Sequence, residues 1–180
     1  MIRLALWLLG GLLLGGIVHL ATVLMLPRMA TQDAYARVSA VAPINAVIPM
    51  PPPTPEKAMM PFMDPAFAVS VCRYDLSRGT LKFSVPISPA YTSVSFYTRS
   101  DIAYYAINDR AAGRRVIELD LMTTEQRAAL PEDQEITAAD RLIVTSPTST
   151  GLIVIRALAP EPGLMSAARA ALAAAQCRPQ

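Results

Sequence analysis

Arg114-Arg115-Val116-Ile117-Glu118-Leu119-Asp120-Leu121 alternates with a clean period of two: Ile117, Leu119 and Leu121 fall on one side, Glu118 and Asp120 on the other. Successive side chains of an extended chain point to opposite faces. This octapeptide is therefore a strand with one face toward a core and one toward solvent. The pattern spreads in both directions. Thr80–Ile87 sets Leu81, Phe83, Val85 and Ile87 on one side, after a Ser77-Arg78-Gly79 turn. Ala66–Asp75 pairs a bulky face (Phe67, Val69, Val71) with a small one (Ala68, Ser70, Cys72). Beyond the break Ser88-Pro89-Ala90, Tyr91–Arg99 places Val94 and Phe96 opposite Tyr91, Tyr97 and Arg99. Ile102–Ile107 runs into the turn pair Asn108-Asp109. Arg141–Thr145 and Gly151–Leu158 complete the set, and Leu152-Ile153-Val154-Ile155, apolar on both faces, reads as a central strand.

Two helices punctuate the strands. Thr123–Leu130 is capped by Thr123 or Thr124 and stopped by Pro131. Pro162–Gln176 has proline in its first turn and an alanine-rich body; Leu164, Ala168, Ala171, Leu172 and Ala175 can bury against a sheet. Short strands spaced by Pro and Gly predict a mainly β domain over residues 66–180, an antiparallel sandwich or partial barrel with a C-terminal helix on one face. No internal repeat is present.

The opposite end of the chain has another character. Leu4–Leu26 carries no charged side chain and is bounded by Arg3 and Arg28. A bilayer core of roughly 30 Å needs about 20 helical residues, so this run is long enough to span. A cleaved signal peptide has an apolar stretch of about 7–15 residues and a small-residue cleavage site. This run is longer and ends in Leu26-Pro27-Arg28, which favours a retained anchor over residues 4–26 in the lipid bilayer. The flanking charges are nearly balanced across the span, so the positive-inside rule gives little direction. The expected orientation is N-terminus cytoplasmic with the C-terminal domain exported into the periplasm, as a single-pass protein of the bacterial inner membrane. Gly11, Gly15, His19 and Thr22 share one stripe of this helix. Gly11 and Gly15 form a G-x-x-x-G motif that lets two helix backbones approach closely, and His19 and Thr22 can hydrogen-bond across such a contact. Frequent glycine in membrane helices, with His19 near the headgroups, is the plainer account.

Between anchor and β domain lie residues 27–65. Thr31–Val41 reads as a short helix, with Thr31 as cap and Asp33 in its first turn. Pro43–Pro65 holds eight prolines, which exclude regular helix and central strand. Such a stretch runs extended in polyproline conformation. Ile44, Val47, Ile48, Met59, Met60, Phe62 and Met63 make it too apolar for a solvated stalk, so it is expected to lie as an arm on the domain.

Charge and motif content limit the chemistry. Apart from Arg3 and Arg28, 14 basic residues balance 14 acidic ones, which gives no electrostatic reason to bind nucleic acid. The only histidine is His19, inside the anchor, so a Ser-His-Asp or Cys-His site in the exported domain would need another base. There is no G-x-S-x-G, C-x-x-C or Gly-rich phosphate loop, no cysteine/histidine metal set, and no cofactor motif. Cys72 and Cys177 can form one disulfide if the domain is exported; two free, buried cysteines are the other possibility. Glu118 and Asp120, which share a strand face, with Asp101 and Asp109 flanking the neighbouring strand, could supply paired carboxylates, but alternating charge on an outward face is ordinarily solvated surface. Tyr91, Tyr97 and Arg99 share a strand face. With Tyr105 or Tyr104 from the next strand, and Asn108, Asp109 and Arg110 at the edge, they would line a groove for a polar ligand or a protein partner. Ordinary strand packing is the plainer account of these tyrosines, since tyrosine is a favoured strand residue.

Three segments, Asp64-Pro65-Ala66-Phe67-Ala68-Val69-Ser70-Val71-Cys72-Arg73-Tyr74-Asp75-Leu76, Tyr91-Thr92-Ser93-Val94-Ser95-Phe96-Tyr97 and Tyr105-Ala106-Ile107-Asn108-Asp109, resemble a bacterial family of domains of unknown function numbered twelve fifty-four. Its short membrane form is similar to this chain along nearly the whole length. The similarity takes in His19 ahead of the proline that closes the span, the Pro-rich arm, the β domain and the final Ala-rich helix before Cys177. The resemblance implies a β-rich fold and a companion domain, numbered twelve fourteen, on a separate small membrane protein or in one longer chain. It brings no settled activity and no catalytic residue. The expected function is a non-catalytic, membrane-anchored envelope protein that pairs with a second small membrane protein or with itself. The alternative is an enzyme or subunit acting on a polar envelope substrate at the Tyr/Arg/Asp groove.

Overall fold

A computed structural model describes residues 2–29, 33–54, 58–61, 63–130 and 142–180. Two compact units result, Met1–Asp33 and Ala34–Gln180. The described residues of the first hold one helix, α1 (Ile2–Met29), within which Ile2–Leu26 is long and apolar enough to cross a membrane. Its large apolar side chains are exposed all round, Trp7 and Leu12 among the most open.

The second unit begins with a short helix, α2 (Ala34–Ser39), and its described residues form nine strands: β1 (Val47–Pro49), β2 (Phe67–Asp75), β3 (Leu81–Pro86), β4 (Tyr91–Thr98), β5 (Ala103–Asn108), β6 (Val116–Thr123), β7 (Leu142–Ser146), β8 (Thr150–Leu158) and β9 (Gln176–Pro179). Helices α3 (Asp109–Ala112), α4 (Thr124–Ala128) and α5 (Met165–Ala173) lie between them. Two sheets form, one in the order β1-β2-β8-β4-β5 and one in the order β7-β6-β3-β9. The chain is thus mainly β, two sheets enclosing a core, with a C-terminal helix and an N-terminal apolar helix.

The alternation seen in the sequence becomes the core directly. Leu81, Phe83 and Val85 of β3 and Ile117, Leu119 and Leu121 of β6 face Val94, Phe96, Ile153 and Ile155 of the other sheet, all buried. The rings of Phe83 and Phe96 meet edge to face across the sheets, centroids 6.2 Å apart. Cys72 on β2 is bonded to Cys177 on β9, with Cα atoms 6.5 Å apart, so a disulfide joins the two sheets. Ala168 and Leu172 of α5 close the same core.

Several local expectations are corrected. The sheets are not purely antiparallel, because β6 and β7 pair in parallel. A parallel pair needs a crossover of about a dozen residues or more, and the stretch from Thr123 to Leu142 supplies it. The C-terminal helix does not run from Pro162 to Gln176. A 3-10 turn (Pro162–Leu164) leads into α5, and Gln176–Pro179 turns extended to pair with β3, Phe83 opposite Cys177. Pro179 is tolerated there because β9 is an edge strand. Asn108 starts a helical turn: its side chain accepts a hydrogen bond from the Ala111 N–H (2.9 Å) and caps α3, and Gly113, at φ 61°, ends it in the left-handed region. Thr123 caps α4 in a capping box with Gln126. Asp120 does face away from the core but is buried, because Gln180 lies over it and donates to its Oδ1 at 3.2 Å. The expectations at Thr31, Phe62, Pro131 and Arg141 fall outside the described residues.

Gly151 answers a packing demand. It stands opposite Tyr74, whose side chain is fully buried, and a Cβ there would run into the Tyr74 hydroxyl and the Tyr97 carbonyl oxygen. Only glycine leaves the tyrosine room to cross its neighbour strand.

Candidate functional site

The outer face of the five-stranded sheet is apolar where a solvated face would be polar. Val69 and Val71 of β2, Leu152 and Val154 of β8 and Tyr97 of β4 line it. This is the second face of the doubly apolar strand Leu152–Ile155. The preceding chain covers it. Val38 of α2, Ala42 and Met50 are buried against Val71 and Leu152, with Tyr35, Met59, Met60 and Met63 packed around them. The Pro-rich segment is attached by backbone: β1 pairs with β2 (Ile48 opposite Val71), and the Met50 N–H donates to the Val69 carbonyl at 2.9 Å. Asn45, at φ 56°, receives the Asp75 N–H on Oδ1 (2.9 Å) and donates Nδ2 to the Asp75 carbonyl (3.1 Å). Asp75 also accepts from the Ser77 N–H at 2.8 Å, which holds its carboxyl below the usual carboxylate range.

The β4–β5 turn fastens α2. Asp101, at φ 59°, accepts the Ala34 N–H on Oδ2 at 3.0 Å, and the Arg99 guanidinium lies 4.1 Å from the centre of the Tyr35 ring. Between arm and sheet a cavity of about 570 Å³ remains, lined by Val38, Met50, Met60, Met63, Val71, Leu152 and Val154, by the rings of Phe67 and Tyr97, and by the charged Asp64, Asp101 and Arg156.

The tyrosine groove read from the sequence is divided by the sheet. Tyr97 and Arg99 lie beside α2 and the arm. Tyr91 is at the other end of β4, opposite Leu158. Tyr105 stands directly opposite Phe96, which fixes it on the inner face, its ring centroid 5.8 Å from that of Phe96. Tyr104 also leans on Phe96, at 6.2 Å, because the register shifts between Phe96 and Tyr97. Its hydroxyl is 3.1 Å from that of Tyr74, which is in turn 2.9 Å from Ser146 Oγ. Burial, reinforced by Tyr74, pushes the Tyr104 phenol well above its ordinary range, so it stays a neutral hydroxyl at any physiological pH. Asn108 is occupied as a cap, Arg110 is exposed, and the Asp109 Oδ1 atom is buried without a hydrogen bond. Glu118 is exposed and Asp120 covered, so they do not form a matched pair.

On α1, Gly11 and Gly15 have open space where a Cβ would stand, and the Thr22 hydroxyl donates to the Val18 carbonyl at 2.8 Å within the helix. Among the described residues no three His, Cys, Asp or Glu side chains are grouped to hold a metal ion. The cavity under the arm was not assembled from the sequence. Its signals were the methionines of the arm and the second apolar face of β8.

The sequence profile of the family described as "Protein of unknown function (DUF1254)" matches residues 44–179. The chain belongs to that family. The matched span opens in the arm, at Ile44, so arm and sandwich fall within one family unit. No curated protein matches the chain. Among solved structures, the VPA0106 protein from Vibrio parahaemolyticus is similar at 13% identity and a TM-score of 0.60, over 82% of this chain and 34% of that one. A putative uncharacterized protein from Burkholderia cenocepacia is similar at 14% identity and a TM-score of 0.50, over 83% of this chain and 37% of that one. These likenesses establish the fold. The chain spans about a third of the length of each of these proteins.

Proposed function

We propose that this DUF1254 member is a non-catalytic component of the bacterial envelope, anchored in the inner membrane by Ile2–Leu26, that pairs with a second small membrane protein of the twelve-fourteen type. The N-terminus is cytoplasmic and the β domain periplasmic. The observation that carries the reading is the pairing of an apolar helix, exposed on every side, with a β domain closed by the Cys72–Cys177 disulfide. Disulfides persist in oxidising compartments such as the periplasm, which supports export of the domain. A helix exposing Gly11, Gly15 and His19 on one stripe supports a helical partner within the bilayer.

An alkaline phosphatase fused after Gln180 should be active in cells; an inactive phosphatase together with a fluorescent cytoplasmic reporter at the same point would overturn the orientation. Purification in mild detergent should bring down a stoichiometric small membrane protein. Gly11→Ile with Gly15→Ile should release that partner, His19→Leu should weaken the association less, and Leu12→Ile should leave it intact. If the glycine substitutions behave like Leu12→Ile, the helix is a tether and the pairing face lies elsewhere.

A further inference from the structure

We infer that the cavity between the arm and the outer face of the five-stranded sheet binds a single-chain amphiphile with an anionic head, of the long-chain carboxylate class. Its volume of about 570 Å³ lies within the range of small-ligand sites, roughly 300–1,000 Å³. Its lining is mainly apolar, with Met50, Met60, Met63, Leu152 and Val154 beside the rings of Phe67 and Tyr97. Sugars and nucleotides need many convergent polar groups, whereas only Asp64, Asp101 and Arg156 carry charge among the lining residues. Methionine is unbranched and polarisable, so three of them make a wall that moulds to a flexible hydrocarbon chain.

Unused donors decide the head. Two charged carboxylates line the cavity, but each already accepts a backbone N–H, Asp64 from Ala66 at 2.8 Å and Asp101 from Ala34 at 3.0 Å, and neither can donate to a head group. Arg156 of β8, between Val69 and Ser93 in register, lines the same space; its side chain is exposed and, among the described residues, has neither hydrogen bond nor ion pair. A guanidinium beside an apolar chamber matches a carboxylate head above a hydrocarbon tail. The roof is the protein's own α2 and arm, so the space admits a thin chain and excludes a partner helix. The inference stands apart from the pairing proposed above and needs no particular partner.

The test uses the full chain in lipid nanodiscs with a long-chain fatty acid bearing a diazirine, irradiated and mapped by peptide mass spectrometry. Adducts are expected at Met60, Met63 and Leu152–Arg156. Unlabelled palmitate should suppress them and hexadecylamine should not. Arg156→Gln should lower these adducts about tenfold or more, since a hydrogen bond to a charged group contributes about 1.5–3 kcal/mol; Arg156→Lys should restore most of the signal. Val154→Trp, which fills the chamber, should abolish it. Adducts absent from these peptides, equal competition by the amine, or undiminished labelling in Arg156→Gln would each overturn the inference. Circular dichroism matching the unsubstituted protein ensures that a loss in Arg156→Gln is not a loss of fold. Labelling of the Ile2–Leu26 peptide by the same probe reports membrane insertion separately, so the two readings fail independently.

Discussion

Leu152 and Ile153 are neighbours on β8 that belong to different interiors. Ile153 points between the sheets, into a core of interlocked aliphatic and aromatic side chains that the Cys72–Cys177 bond ties across. Leu152 points the other way, under a roof of methionines, prolines and one short helix, beside a cavity. Both are buried to within a few per cent, so burial does not separate the two environments. What separates them is the origin of the covering surface. The inner core is strand against strand, where side-chain positions are fixed by register on both sides. The outer one is strand against an irregular arm, attached by backbone pairing at β1 and by side-chain contacts at Asn45, Asp101 and Arg99. The first kind of packing is built for rigidity, the second for adjustment.

The disulfide gives the largest test of this contrast. It closes a loop of sequence separation 105, for which chain entropy sets the stabilisation at about 4–5 kcal/mol. Cys72→Ser with Cys177→Ser should lower the chemical-denaturation midpoint by that equivalent, and non-reducing mass spectrometry of unsubstituted protein from the oxidising compartment should find no free thiol. A midpoint that does not move would mean that the two sheets are held by packing alone.

Alanine at the neighbouring positions of β8 measures the contrast itself. Ile153→Ala should cost near the top of the ~2–5 kcal/mol range for such truncations, because the surrounding core cannot collapse. Leu152→Ala should cost near the bottom, about 2 kcal/mol, because methionines on its side can shift into the space. Equal losses in parallel denaturation curves would show the arm to be as rigid as a strand.

Gly151→Ala probes the seam where the Tyr74 hydroxyl and the Tyr97 carbonyl converge. Overpacking of this kind costs about 1–3 kcal/mol. It should also loosen the Tyr74–Tyr104–Ser146 hydroxyl cluster, readable as altered tyrosine fluorescence. Smallest is Arg99→Gln, which removes the cation from the half-buried Tyr35 ring at about 0.5–1 kcal/mol. Its effect should be local: faster hydrogen exchange in α2 with unchanged exchange in β8.

The inner half of this architecture was legible because alternation alone specifies it. Leu81, Phe83 and Val85, and Ile117, Leu119 and Leu121, went where a period of two sends them. The parallel pairing of β7 was not legible, because strand period carries no information on direction. Nor was β9: Gln176-Cys177-Arg178-Pro179 has little strand character and becomes extended only because β3 offers it an unpaired edge. The tyrosine groove is divided because Tyr105 pairs opposite the inward-facing Phe96, and a register shift between Phe96 and Tyr97 lets Tyr104 lean on Phe96 as well, while Tyr97 stays outside. The cavity was visible only in fragments, as an arm too apolar to be solvated and a strand too apolar to have one face in water.

The order of strands in the larger sheet sets a timetable. β8 lies between β2 and β4, and neither of those strands pairs with the other. β4 ends at Thr98, whereas β8 begins only at Thr150. During synthesis or threading across a membrane, β2 and the hairpin β4–β5 therefore emerge with open edges and wait for their shared centre. Contacts so distant in sequence form slowly, because loop closure precedes any gain from pairing. Cys177 emerges later still, beyond the end of β8. The disulfide is thus a seal on a finished sandwich, and a nascent chain halted before Thr150 would present two unfilled strand edges to whatever guards against aggregation.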